Sequence, residues 1–98
     1  MAGAPVLRHA PAAEGGEFVL EQDGRRVGEL TYDLAGKRLV IRHTGVEPSL
    51  RGHGAARQLL DAAIAFARAQ DYKVIPRCSY ASVVFARTPA AFADILAD

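Results

Sequence analysis

Apolar and polar positions alternate through the first half of the chain and recur at helical spacing in the second. Phe18-Val19-Leu20-Glu21 reads as a strand, Asp23-Gly24 as a hairpin turn, Val27 to Leu34 as a second strand, Ala35-Gly36 as a second turn and Arg38 to Val46 as a third strand. Their tight connections predict an antiparallel meander, which Pro48 and Ser49 end. From about Gly54 to Gln70, the residues Ala56, Leu59, Leu60, Ala63, Ile64 and Ala67 share one helical face, with Arg57, Asp61 and Arg68 opposite. Lys73-Val74-Ile75-Pro76 reads as a short buried strand. Because a helix leads to it, it is expected to lie parallel to the third strand. Ser79 is the expected N-cap of a helix from Tyr80 to about Arg87, and Thr88-Pro89 opens a last short helix through Leu96. Residues 1–16, with Pro5, Pro11, Gly15 and Gly16, read as a loose lead-in with room for a short edge strand at Val6-Leu7-Arg8. The frame is β-β-β-α-β-α, an α+β fold with helices packed on a mostly antiparallel sheet.

Length and composition narrow the class. At 98 residues, one domain spanning 1–98 is expected, with room for one core. Half the residues are hydrophobic and 23% are charged, an ordinary globular mixture. The net charge of +1 lacks the basic excess that broad nucleic-acid binding needs, so no nucleic-acid partner is expected. The longest uncharged apolar run, Ala62 to Ala67, is too short to span a bilayer, and no signal peptide is read at the start. A lone cysteine cannot close an internal disulfide, so the expected home is the reducing cytoplasm. No metal-ligand pattern is read, and oligomeric state is not legible.

The candidate chemistry lies at the seam between the third strand and the long helix, Arg51-Gly52-His53-Gly54-Ala55-Ala56. Glycines there let backbone pass close to a bulky ligand. The first helical turn presents free N–H groups and the positive end of its dipole, an anion site whose usual occupant is phosphate. Arg51 and Arg57 add charge at the same end, as phosphate contacts or as solvated surface arginines. The segment is not a P-loop, since no Gly-Lys-Ser/Thr follows. It is also a poor dinucleotide fingerprint, with Arg57 at the third glycine position. The spacing fits Arg/Gln-x-x-Gly-x-Gly/Ala, through Arg51, Gly54 and Ala56.

That hexapeptide after a strand resembles the acyl-CoA pyrophosphate loop of the GCN5-related N-acetyltransferases. The longer run from His43-Thr44-Gly45-Val46 through Gly54, with Val74-Ile75-Pro76-Arg77-Cys78-Ser79-Tyr80, resembles their small single-domain YjdJ-like group, over roughly Phe18 to Leu96. The resemblance implies the minimal acyl-CoA N-acyltransferase fold. In that fold the strands matching Arg38–Val46 and Lys73–Pro76 splay apart and hold a pantetheine arm between them. It implies acetyl-CoA as cofactor and an amine, on a peptide, a protein or a small molecule, as acceptor. Backbone groups of Thr44 and Val46 would then meet the arm, with a donor near Val46 on the thioester carbonyl. Gly52, His53, Gly54, Ala55 and Ala56 would form the pyrophosphate loop, with His53 facing solvent.

Three side chains are candidates for the chemistry. Cys78 is either a small buried hydrophobe or a reactive thiol at a helix start; the resemblance implies a place beside the cofactor's sulfur, with direct transfer and an acylated Cys78 both open. His43 is expected on the strand face shared with Leu39 and Ile41, as a satisfied half-buried histidine or as the general base. Tyr80 is a core aromatic or a general acid for the leaving thiolate. The small group that the chain resembles often carries an acidic residue after the His-Thr pair, where this chain has Gly45. It also often carries His-Pro-x-Tyr near the end, where this chain has Thr88-Pro89-Ala90-Ala91-Phe92. A CoA-binding module without transferase turnover, acting as a sensor or interaction subunit, is the alternative.

Overall fold

The computed structural model describes residues 3–97. One sheet runs in the order β1 (Val6–Ala12), β2 (Gly15–Gln22), β3 (Arg25–Ala35), β4 (Arg38–Val46) and β5 (Lys73–Pro76). Neighbours from β1 to β4 pair antiparallel, and β4 pairs with β5 in parallel. The crossover between that last pair is a 3-10 turn at Pro48–Leu50 followed by α1 (Ala55–Gln70). Helices α2 (Ser79–Arg87) and α3 (Pro89–Phe92) complete the α+β frame. Asp23 and Gly24 both have positive φ, 53° and 77°, which is the type I′ geometry that an Asp-Gly pair favours between twisted strands.

Helix α1 buries Ala55, Leu59, Leu60, Ala63, Ile64 and Ala67 against one face of the sheet. Phe18, Leu20, Leu30, Tyr32, Leu39 and Ile41 meet it from the strands. The opposite face has no helix on it among the described residues. It carries cross-strand charge pairs instead, Arg8 with Glu21, Arg26 with Glu17 and Arg42 with Asp33. Among the described residues no helix is long and apolar enough to cross a membrane.

Three expectations are corrected. The lead-in is ordered from Val6, and β1 pairs along its whole length with β2, from Val6↔Glu21 to Ala12↔Gly15; residues 1 and 2 lie outside the described residues. Pro11 is tolerated because an edge strand does not need every N–H. Gly15 and Gly16 are packing glycines, since a Cβ on Gly16 would stand 2.7 Å from Tyr32 Oη and one on Gly15 would strike the Tyr32 carbonyl. The last helix stops at Phe92, and the chain then extends so that Val74 N–H donates to Ile95 C=O (2.6 Å) and Ala97 N–H to Val74 C=O (3.0 Å). Those bonds satisfy the outer edge of β5, which a longer helix would have left open. Finally, Thr31 pairs with His43 but Tyr32 pairs with Ile41, so Arg42 is an extra residue, a β-bulge. Leu39 and Ile41 face the core before the bulge and Thr44 and Val46 after it. His43 is turned to the open face and is 60% exposed.

His9 fastens β1 to the core. Its ring stacks on Phe18 at 4.1 Å and meets Phe66 of α1 edge-on at 4.6 Å, and Nε2 lies 2.6 Å from the hydroxyl of buried Tyr32. Burial lowers the His9 pKa below the usual 6.5. As pH falls through 6.5, the unfolded chain therefore takes up this proton before the folded one, and stability is lost from there down to the folded value. Thermal denaturation between about pH 8 and pH 5 is expected to show Tm falling below neutrality. His9→Gln, which can still bond Tyr32 but does not titrate, is expected to remove that step.

Candidate functional site

The site is made by the parting of β4 and β5. Their ladder runs only from Arg38↔Lys73 to Ile41↔Pro76. Arg77 and Cys78 N–H then both donate to the Ile41 carbonyl, at 2.9 and 3.1 Å, which closes the pairing. Strand β4 continues to Val46 with β3 on one side only. Glu47 N–H bonds Val27 C=O at 2.9 Å, so by strand alternation the amides and carbonyls of Thr44 and Val46 point the other way, into the opening. Across its mouth Thr44 Oγ1 stands 3.5 Å from Cys78 Sγ.

At the far end of that free edge lies the glycine loop. Gly52 (φ 82°) and Gly54 (φ 79°) are both left-handed, a conformation that side chains disfavour. No atom lies within 4 Å of where either Cβ would be, so glycine is required here by the backbone rather than by crowding. Gly54 is the N-cap of α1 and supplies no side-chain cap, and the first turn holds no acidic residue. The first intrahelical bond is Gln58 N–H to Gly54 C=O, at 2.9 Å. The amides of Ala55, Ala56 and Arg57 therefore stay without helical partners at the positive end of a sixteen-residue helix. Arg51 N–H is used on Pro48 C=O and His53 N–H on Leu50 C=O, both at 3.2 Å, which takes the His53 amide out of the free set.

A cavity of about 330 Å³ opens over these amides, lined by Val46, Leu50, Arg51, Gly52, Gly54, Ala55, Ala56, Arg57 and Tyr80. Eight of these are residues expected from the sequence; His53 is exposed outside it. Leu50, an apolar part of its wall, was not expected, since nothing in Pro-Ser-Leu signals that a 3-10 turn would aim it here. The two arginines differ. Arg51 makes no ion pair among the described residues, whereas Arg57 Nε donates to Asp61 one turn on, at 2.8 Å. That bond is the main reason the Arg57 pKa is raised. Burial raises the Tyr80 pKa, with Arg57 pulling the other way, so the phenol keeps its proton at neutral pH.

Cys78, not Ser79, is the N-cap of α2. With extended φ −80° and ψ 149°, its Sγ accepts from Ala81 N–H at 3.3 Å, while Ser79 is already helical. The thiol is half-buried at the mouth. The structure thus brings Thr44, Val46, Arg51, Gly52, Gly54, Ala55, Ala56, Arg57, Cys78 and Tyr80 to one opening. His43 belongs to the other side of the sheet.

This fold and opening define an acyltransferase-type scaffold. A family model described as GCN5-related N-acetyl-transferase matches residues 17–95, and the chain belongs to that family. It is similar to a GCN5-like protein from Staphylococcus aureus, with TM-score 0.70 and 26% identity over 93% of this chain and 88% of the other. In fold it is also similar to the ribosomal-protein-S18-alanine N-acetyltransferase of Escherichia coli, with TM-score 0.67, 14% identity, and coverage of 81% of this chain and 54% of that one. A third similar fold is an aminoglycoside acetyltransferase from an uncultured soil metagenomic sample, with TM-score 0.66, 19% identity, and coverage of 79% and 57%. The chain spans little more than half the length of these last two enzymes. No protein in the curated set matches the sequence.

Because φ at Gly54 is left-handed in open space, Gly54→Val is expected to lower stability by about 1–2 kcal/mol and leave α1 in place. Denaturant unfolding should read that loss while far-UV circular dichroism stays near the wild type.

Proposed function

We propose that the protein is an acetyl-CoA-dependent N-acetyltransferase acting on a primary amine. One observation carries this reading: the unpartnered amides at the start of α1 are continuous, through Val46, with the unpaired edge of β4. A pyrophosphate joined to an extended amide-bearing arm asks for that combination. Bound acetyl-CoA would supply the acetyl group already activated as a thioester.

The residues divide the work. Gly52, Gly54, Ala55, Ala56 and Arg57 offer amides to the pyrophosphate, and Arg51 offers an unpaired charge. Thr44 and Val46 offer strand-type hydrogen bonds to the arm, and a donor at Val46 would polarise the thioester carbonyl. Tyr80, protonated at neutral pH, can deliver a proton to the departing sulfur. The attacking nitrogen must be neutral, and His43 is the base proposed to take its proton. Cys78 sits beside the reacting sulfur without becoming acylated. Passing an acetyl group between two thiols gains almost nothing, so a positioned amine needs no covalent stop. The acetyltransferases of similar fold, named for a ribosomal-protein alanine and for aminoglycosides, support an amine acceptor. The lone thiol suits a reducing cytoplasm.

Calorimetry and native mass spectrometry are expected to show one acetyl-CoA per chain. Arg51→Ala should weaken binding more at low salt than at high salt, as expected for an exposed charge. Absence of CoA binding to the wild type would end the reading. Binding without product from a broad amine and peptide panel would leave a CoA-binding module. For Cys78, a thiol-alkylating reagent should label it, CoA should protect it, and Cys78→Ala should keep measurable turnover. An acetyl group trapped on Cys78, with all activity lost in Cys78→Ala, would establish a ping-pong route instead.

A further inference from the structure

On the open face of the sheet, Glu29 of β3 is the direct register partner of Gly45 on β4. Gly45 lies two residues from His43 on the same face. A side chain at position 45 has no room there: a Cβ would stand 2.7 Å from Glu29 Oε2 and 2.8 Å from His43 Nε2. The carboxylate and the imidazole meet over the glycine, Nε2 to Oε2 at 3.4 Å. The Arg42 bulge is what turns His43 to this side, and it does so immediately before Thr44 and the opening.

The cations nearest this pair have partners of their own: Arg25 is held by Glu47 at 2.7 Å, and Arg26, whose charge also senses Glu29, is held by Glu17. Thr31 of β3 lies opposite His43, and Glu17 of β2 lies opposite Thr31. Glu17 is held by Arg26 at 3.0 Å, and Arg42 on β4 is held by Asp33 at 2.9 Å. Arg77 follows β5, joined by its amide to Ile41. Among the described residues Glu29 makes no ion pair or hydrogen bond with any side chain except His43. Glu29 also lines a second, larger hollow of about 410 Å³ on β3 and β4, with Arg25, Arg26, Gly45, Val46, Glu47 and Arg51 in its wall. Val46 and Arg51 line both hollows, so the two share a wall at the end of β4.

We infer that Glu29 is a positioning residue for proton removal: a cross-strand carboxylate that orients His43 over Gly45 so that its imidazole accepts a proton from the acceptor amine. This rests on the transferase reading given above. With Nε2–H donating to Glu29, Nδ1 is left as the acceptor, and the carboxylate stabilises the imidazolium that forms. The proton balance is complete without another reactant. As the N–C bond forms and the C–S bond breaks, the ammonium nitrogen loses two protons. One passes through exposed His43 to solvent, and the other ends on the CoA sulfur.

The test compares wild type, Glu29→Gln, Gly45→Ala, His43→Gln and the Glu29→Gln/His43→Gln double variant. The Gly45→Ala methyl displaces only the flexible ends of Glu29 and His43, so the fold is kept. Imidazole nitrogen NMR of the ligand-free protein should show His43 holding its proton on Nε2 in wild type and losing that preference in Glu29→Gln and Gly45→Ala. In turnover, kcat of the same variants should fall by about tenfold or more, with KM for acetyl-CoA unchanged. The double variant should be no slower than His43→Gln alone, because the carboxylate acts only through the imidazole. An unchanged His43 tautomer and kcat in Glu29→Gln, with an active wild type, overturns this inference alone, as do losses that multiply in the double variant. A wild type that makes no acetylated product overturns the transferase reading and this inference with it.

Discussion

The Ile41 carbonyl carries the site. It accepts two amides, from Arg77 and Cys78, at the point where Pro76 ends β5 with a ring instead of an N–H. A parallel ladder that continued would have covered Thr44 and Val46 and left no opening. A strand edge inside a protein is ordinarily hidden or charged, because free amides invite pairing with another chain. Here five residues of β4 past Ile41 keep one edge open, and α1 and α2 start on either side of it. An extended ligand that adds itself as a strand is the physical complement of such an edge.

Among the described residues, helices cover one face of the sheet and exposed ion pairs line the other. Exposed pairs of that kind contribute about 0–1 kcal/mol each, so their role on the open face is not chiefly stability. They keep a helix-free sheet surface polar. They also leave His43 and Glu29 reachable from solvent.

The parts of the fold that were legible in the sequence are those fixed by local chemistry. Asp23-Gly24 demands a type I′ turn, the apolar spacing from Leu59 to Ala67 demands an amphipathic helix, and the glycine loop demands a helix start without a cap. What escaped depends on partners far away in the chain. Pro11, Gly15 and Gly16 look like loop residues until Tyr32 is seen filling the space beside both glycines. The end of the last helix depends on the unsatisfied edge of β5 at Val74, far back in the chain. Cys78 displaced Ser79 as cap because the pairing to Ile41 fixes Cys78 in an extended conformation before the helix can begin. The cavity residues were nearly all legible because most belong to the end of β4, the glycine loop and the first turn of α1, with Tyr80 from the start of α2; Leu50 was not, since its aim depends on the 3-10 turn.

The bulge at Arg42 is the feature that alternation alone cannot reveal, and it divides β4 by purpose. Before it, Leu39 and Ile41 fill the core and their strand edge is paired with β5. A strand without the extra residue would have carried His43 and Gly45 inward and Thr44 and Val46 outward. The imidazole would then lie under α1, and the amides that face the opening would be spent on β3. Inserting one residue exchanges both sets at once: it puts Thr44 next to Cys78 on the helix side and His43 next to Glu29 on the open side. One unpaired residue in the ladder thus turns a core strand into a partition with different chemistry on its two faces, joined at an edge where they can meet.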